Sequence, residues 1–498
     1  MTDTPTLDQP PGQPAFADRV KSAVFWRSGS QILAQIITWG TTLAVIRLLD
    51  PADYGLFAMT QVVLTFLNFL NGYGFASALV QAESLDMHRV RQAFGLLILL
   101  NAALAGVQLI IAPYAAAYYG QPLIADLLRV QALIFLATPF IALPEVMMSR
   151  SLEFRKQAFV NLAAALAGGG TALACALSGF GVWTLVYAAV ALFWTRAIGL
   201  TLAARLLVWP SFNLSGTGSI LMFGGAMLAS HFFWLIQTQA DILIAGRRFD
   251  PHALGLYAEA LFLTQIFVSK FVPPLNEVAF PAYARLQSDP AAVRWSFLKA
   301  MRLIMLVCAP LYFGMSASAA PLVATLFGPK WTAMAPLVAI LALAMPLGTL
   351  HILFAPATNA MGRPFVAARV SLVGAILFPA AFMIGVRYGP AGLAWAWVAA
   401  APLLLVAAIQ LSRPVLGIGV RDVARAALPA LIPAAVMGAA VAMVDRALMS
   451  ALAPPLRLAL LVGIGGFIYA ALLWLFQRRA IDEVLGLLRR RSPDQPAI

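Results

Sequence analysis

The apolar residues of this chain come in uninterrupted blocks of about twenty or more, long enough for a helix rising about 1.5 Å per residue to cross roughly 30 Å of hydrocarbon. Backbone placed in hydrocarbon must satisfy its own hydrogen bonds, and blocks of this length do so as helices. Marked by their charged or Pro/Gly flanks, the blocks predict about fourteen spans. They begin near Ser22, Gly55, Arg91, Leu123, Gln157, Val182, Gly218, His252, Phe297, Ala333, Pro364, Gly392, Val423 and Leu456. Of 498 residues, 62% are hydrophobic and 11% charged, whereas soluble domains carry about a quarter charged. That balance excludes an ordinary soluble enzyme, and the fold class expected is an all-α integral membrane protein.

The formal net charge of +13 would suggest nucleic acid in a soluble chain. Here basic loops explain it, and no nucleic-acid partner is expected. With the N-terminus placed in the cytoplasm, twenty-one of the 33 lysines and arginines fall on the cytoplasmic side and eight on the other. The bias supports fourteen spans with both ends inside. Residues 1–21 are polar and proline-rich and are expected to form a cytoplasmic tail without a cleaved leader, the first helix acting as the membrane-entry signal. At the other end, residues 478–498 place Ile481, Val484, Leu485 and Leu488 at helical spacing beneath basic residues. An amphipathic tail on the inner leaflet is expected there. Cys175 and Cys308 both lie in apolar blocks, far apart and without ligand spacing around them, and predict neither a disulfide nor a metal site.

An internal repeat organises the spans. Residues 47–58 read RLLDPADYGLFA and residues 247–258 read RRFDPHALGLYA, identical at six of twelve positions. Each stretch joins the first and second spans of a six-helix set. Because six is even, the second set starts on the same side as the first, giving parallel lobes around a central cavity and an alternating-access architecture. The expected division is an N-lobe at 22–206, a linker at 207–217, a C-lobe at 218–411 and two further helices at 412–477. In the repeated turn, proline sets the turn, Asp50 or Asp250 can cap the helix after Pro51 or Pro251, and Gly55 or Gly255 permits a close backbone approach. A structural hinge is the expected role.

The RLLDPADYGLFA turn, the run QTQADILIAGRRFDPHALGLYA at 237–258 and PPLNEVAFPAYARLQ at 273–287 together resemble the polysaccharide transporter family, the O-antigen and exopolysaccharide lipid flippases of the multidrug/oligosaccharidyl-lipid/polysaccharide superfamily. The resemblance covers about residues 20–450. It implies a two-lobed transporter in the bacterial cytoplasmic membrane that turns an undecaprenyl-diphosphate-linked oligosaccharide from the inner to the outer face. It also implies no covalent chemistry and no cofactor beyond a coupling cation, H+ or Na+. Partners on this view are membrane lipids and the polysaccharide polymerase and export machinery.

Ionisable groups at membrane depth are costly and mark functional positions. Arginine matches the diphosphate of the implied substrate, since its planar fork donates two parallel bonds. Arg27, with Gln31 one turn along the same face, is the leading diphosphate candidate, snorkelling to the inner leaflet being the alternative. Arg302 and Lys270 are further cavity cations. Glu259, Lys270 and Glu277 fall on one helical stripe, as cavity groups or as an ion-pair network. Asp241 is read as ion-coupling or as paired with Arg247 or Arg248, and Glu145 as a proton carrier or an inner-rim partner of Arg150. Trp26, Trp39, Tyr73, Trp234 and Tyr257 are sugar platforms or members of interfacial aromatic belts. The competing readings are a cation-coupled multidrug antiporter, disfavoured by cavity arginines, and a membrane glycan polymerase or ligase, disfavoured by short outer loops. No phosphate-binding GxxxxGK[ST] loop is present.

Overall fold

The computed structural model describes residues 16–72, 87–151, 153–205, 208–212, 218–448 and 452–477. Among the described residues there is no strand, and fourteen principal helical segments follow one another. These are α1 (Phe16–Leu48), α2 (Pro51–Gly72), α3 (Met87–Tyr119), α4 (Leu123–Arg150), α5 (Phe154–Leu177), α6 (Trp183–Ala204) and α7 (Gly218–Gly246). The second set is α8 (Pro251–Arg285), α9 (Pro290–Ala317), α10 (Pro329–Ala360), α11 (Pro364–Gly385), α12 (Gly389–Leu416), α13 (Val420–Leu448) and α14 (Pro454–Phe476). Each begins within seven residues of the start expected from hydropathy.

Proline explains many of these starts. Pro51, Pro251, Pro290, Pro364 and Pro454 open their helices, where a missing N–H has no intrahelical partner to lose. Inside helices the same residue interrupts the ladder. The α4 segment is three pieces divided at Ala132 and Thr138, the last carrying Pro139 in its first turn and Pro144 inside. In α8, Pro273, Pro274 and Pro281 lie in the second half.

The described residues form two compact units. One comprises those up to Leu49 together with Val63–Leu228, and the second Asp50–Val62 together with those from Ala229 onward. In the first unit α5 packs against α1 and α6, with glycine at the contacts. A Cβ on Gly168 would press on Leu192, one on Gly169 on Thr41, and one on Gly199 on Val160. Small residues let helix backbones approach, which supplies the packing attraction that lipid does not. Gly170, the third of that run, faces open space.

In the second unit α11 lies on α12 through Gly385 and Gly392, and α9 lies on α13 where Gly438 meets the Phe313 backbone. Helices α13 and α14 are integral to this unit, since Tyr469 of α14 donates to the Leu306 carbonyl of α9 at 3.1 Å. The two are clamped to each other by Arg457, which holds both carboxylate oxygens of Asp445, one at 2.7 Å.

Arg457→Ala should lower stability by about 3 kcal/mol, because it strands a largely buried carboxylate. The double variant Asp445→Leu/Arg457→Leu should recover most of that loss. Thermal unfolding of the detergent-solubilised proteins measures both, and equal losses in the two variants would contradict the clamp.

Candidate functional site

The repeated turns meet one another. At the start of α8 the Asp250 carboxylate accepts from the Ala253 N–H at 2.9 Å and caps the helix as expected. At the start of α2 the arrangement differs: the Asp50 N–H donates to the Asp53 carboxylate at 3.1 Å, and the Asp50 carboxylate meets Lys330 Nζ at 2.8 Å. Both first turns belong to the second unit, and their glycines face each other. A Cβ on Gly55 would collide with the Pro251 carbonyl and lie 3.0 Å from Gly255 N. A Cβ on Gly255 would collide with the Pro51 carbonyl and lie 2.9 Å from Gly55 N. This reciprocity is the mark of a local two-fold relation between the two turns. Tyr54 seats the α2 turn further, its ring edge-on to the buried Trp331 at 5.4 Å.

Asp241 of α7 is fully buried. Its carboxylate accepts from Tyr257 Oη of α8 at 2.9 Å and from the Ile242 N–H at 2.8 Å. Tyr257 Oη in turn accepts from Trp397 Nε1 of α12 at 2.8 Å. Phe378 and Phe382 of α11 hold the Trp397 ring at 4.8 and 5.4 Å. Nearby, Gly374 leaves room for the Gln237 side chain, which a Cβ there would strike. The expected pairing of Asp241 with Arg247 or Arg248 is therefore corrected: its partners are a hydroxyl and its neighbour's backbone. Tyr257, expected at a sugar platform or interface, is instead buried as the support of this carboxylate. One sequence signal could have found the pair. Two hundred residues earlier the repeat carries Thr41 and Phe57, so the carboxyl and the hydroxyl appear together in one copy.

In the first unit a cavity of about 410 Å³ opens between α1, α4, α5 and α6. Glu145 is paired across it with Arg196 of α6 at 2.7 Å, which replaces the expected bridge to Arg150. The sequence could not offer Arg196, because that pairing depends on α4 packing against α6. Gln157 of α5 donates to the Glu145 carbonyl at 3.0 Å and to Ser149 Oγ at 3.1 Å. Ser30, Gln35 and Thr38 of α1 and Asn161 of α5 add to the polar lining.

The other expected residues do not join these groups into one site. Lys270 and Glu277 are exposed on α8, and Glu259 is half-buried one turn after Gly255. Among the described residues these three form no ion pair with one another; at about 1.5 Å per residue neighbouring members of the stripe are some 10 to 16 Å apart along the helix, and Glu259 and Glu277 about 27 Å, too far to touch. Arg302 is half-buried on α9, between the buried Met301 and Met305. The α1 helix runs through Arg27 and Gln31, whose side chains lie outside the described residues, as does the 478–498 tail.

Eleven stretches among the described residues are long and apolar enough to cross a membrane, and they define a multi-pass membrane protein, whose fold is that of the transporters it superposes on. The lipid II flippase MurJ, in an inward closed conformation, superposes with a TM-score of 0.72 at 12% identity over 92% of this chain and all of its own. An inward-facing multidrug resistance MATE family transporter of the MOP superfamily gives 0.53 at 14% identity, over 84% of this chain and 96% of its own. Residues 44–336 match the polysaccharide biosynthesis protein family, and the chain belongs to that family. The succinoglycan biosynthesis transport protein ExoT of Rhizobium meliloti is 25% identical over 93% of this chain and 95% of its own length. The lipopolysaccharide biosynthesis protein WzxC of Escherichia coli is 22% identical over 59% of this chain and 60% of its own.

Gly55→Ala and Gly255→Ala should each destabilise by roughly 1 to 3 kcal/mol, since a methyl must push two backbones apart. Gly170→Ala, with open space around it, should instead be neutral or stabilise by about 0.5 kcal/mol through helix propensity. Thermal melts of the three proteins in one detergent compare them directly; similar melts for all three would refute the close crossing.

Proposed function

We propose that this protein flips undecaprenyl-diphosphate-linked oligosaccharide units from the inner to the outer face of the bacterial cytoplasmic membrane, for export of a surface polysaccharide. The observation that carries the reading is the full-length similarity to a succinoglycan transport protein, on a chain whose fold is that of a lipid II flippase. The arginine and lysine bias supports both termini lying in the cytoplasm. A lipid-linked oligosaccharide is too polar to cross hydrocarbon unaided, and two linked repeats of six helices are the architecture that gives alternating access to such a cargo.

Arg27 is the residue we assign to the diphosphate, on the strength of its place at membrane depth in the first span and the bidentate match of guanidinium to phosphate oxygens. Asp241 is the residue we assign to ion coupling. A buried carboxylate held by neutral donors and no cation retains an unmet demand for a proton or a sodium ion, and a bound cation would relieve it. Glu145, already neutralised by Arg196, is less suited to that exchange.

The test uses sealed vesicles carrying the full-length protein and a lipid-linked oligosaccharide, with appearance of the glycan on the far face as the readout. Arg27→Ala should slow flipping roughly tenfold to a hundredfold, the size of a lost hydrogen-bonded charge contact. Lysine should rescue it only in part, because it lacks the fork. Asp241→Asn should leave the fold intact yet make flipping indifferent to an imposed proton or sodium gradient. Absence of flipping by the unmodified protein, with gradient-driven efflux of a cationic dye, would establish the antiporter instead.

A further inference from the structure

We propose that the polar cavity of the first unit is a saccharide subsite that receives one neutral sugar residue of the transported glycan; the inference rests on the flippase reading for the origin of that sugar. The cavity's chemistry selects this class of ligand. Its volume of about 410 Å³ is within the range of small-ligand sites, roughly 300 to 1,000 Å³. Among the described residues its one cation and one anion, Arg196 and Glu145, neutralise each other at 2.7 Å. A phosphate entering would meet the repulsion of the Glu145 carboxylate beside the guanidinium, and a metal ion that of the guanidinium beside the carboxylate, so neither charge finds an uncompensated partner. An apolar ligand would strip water from amides with nothing in return.

A sugar hydroxyl is both donor and acceptor, and the cavity presents groups of that kind unused. The amides of Gln35 and Asn161 line it and make no hydrogen bond to other described residues. Arg196 Nε is buried with its hydrogen unpaired. Each amide offers a donor and an acceptor side by side, the pattern that neighbouring ring hydroxyls satisfy. Phe154 also lines the cavity and supplies an apolar surface for the face of a pyranose. The site lies where α4 ends and α5 begins, the end that the basic-residue bias assigns to the cytoplasm. Glycan would be met there before it crosses.

The protein in lipid nanodiscs, probed by saturation-transfer NMR with millimolar glucose, galactose and N-acetylglucosamine, tests the assignment. Saturation transfer to at least one of these sugars is expected, with apparent affinity reduced roughly tenfold in Asn161→Leu and in Gln35→Leu, the size of one lost hydrogen bond. Sodium diphosphate should leave the signal unchanged. Lack of transfer to all three sugars would make the cavity a water-filled packing defect and overturn the proposal. Equal transfer in folded variants, or displacement by diphosphate, would overturn it too. Gln35→Leu, on the half-exposed side of α1, decides the matter if Asn161→Leu does not fold. Sugar binding by a protein that fails to flip would sink the flippase reading and leave the subsite; flipping without sugar binding would do the reverse.

Discussion

Hydrocarbon offers the backbone no hydrogen bonds and gives helices no hydrophobic reason to associate. Everything in this fold follows from that pair of facts. The first makes every span a helix, and the second leaves close packing as the means of joining helices. Glycine accordingly marks many of the contacts: Gly168 and Gly199 in the first unit, Gly385, Gly392 and Gly438 in the second. The tightest contact is the crossing of Gly55 with Gly255, where each helix start occupies the volume a side chain on the other would need. A motif that reads as a turn at each occurrence thus also forms a contact between its two occurrences.

Polar groups among these helices are satisfied in two different ways. Glu145 and Arg196 neutralise one another at the wall of a cavity. Asp241 instead receives neutral donors from Tyr257 and the backbone, with Trp397 supporting the tyrosine. The difference matters chemically. A neutralised pair is electrostatically complete and leaves hydrogen-bonding capacity around it for an uncharged ligand, whereas a carboxylate without a counter-charge retains affinity for a cation. The two units thus carry polar groups in different electrostatic states, a neutralised ion pair in one and a carboxylate held by neutral donors in the other.

Hydropathy located the helices because each span must be apolar along its whole length, a property local to its own residues. The repeat was legible for a similar reason, since identical residues at identical spacing need no knowledge of packing. It was the basis for expecting a close approach at Gly55 and Gly255, though not that each glycine would approach the other. Side-chain partners were another matter. Arg150 is near Glu145 in sequence and Arg247 near Asp241, so both seemed natural partners. Both were displaced by residues fifty-one and sixteen positions away, on helices that happen to pack alongside. The stripe of Glu259, Lys270 and Glu277 cannot supply its own partners, since residues sharing a helix face can still lie too far apart along it to touch.

The sequence by itself determined that the chain is a helical membrane protein, where its principal helices start to within seven residues, and that one turn motif occurs twice. These properties depend on composition and order along one segment at a time. Only the tertiary structure decided which polar groups meet: that Tyr257 serves Asp241, that Arg196 closes on Glu145 beside an open cavity, and that the α2 turn belongs to the unit containing its repeat partner. Those choices are made by the rotation of each helix about its axis and by its neighbours, and helix rotation is set by close packing between segments distant in the chain.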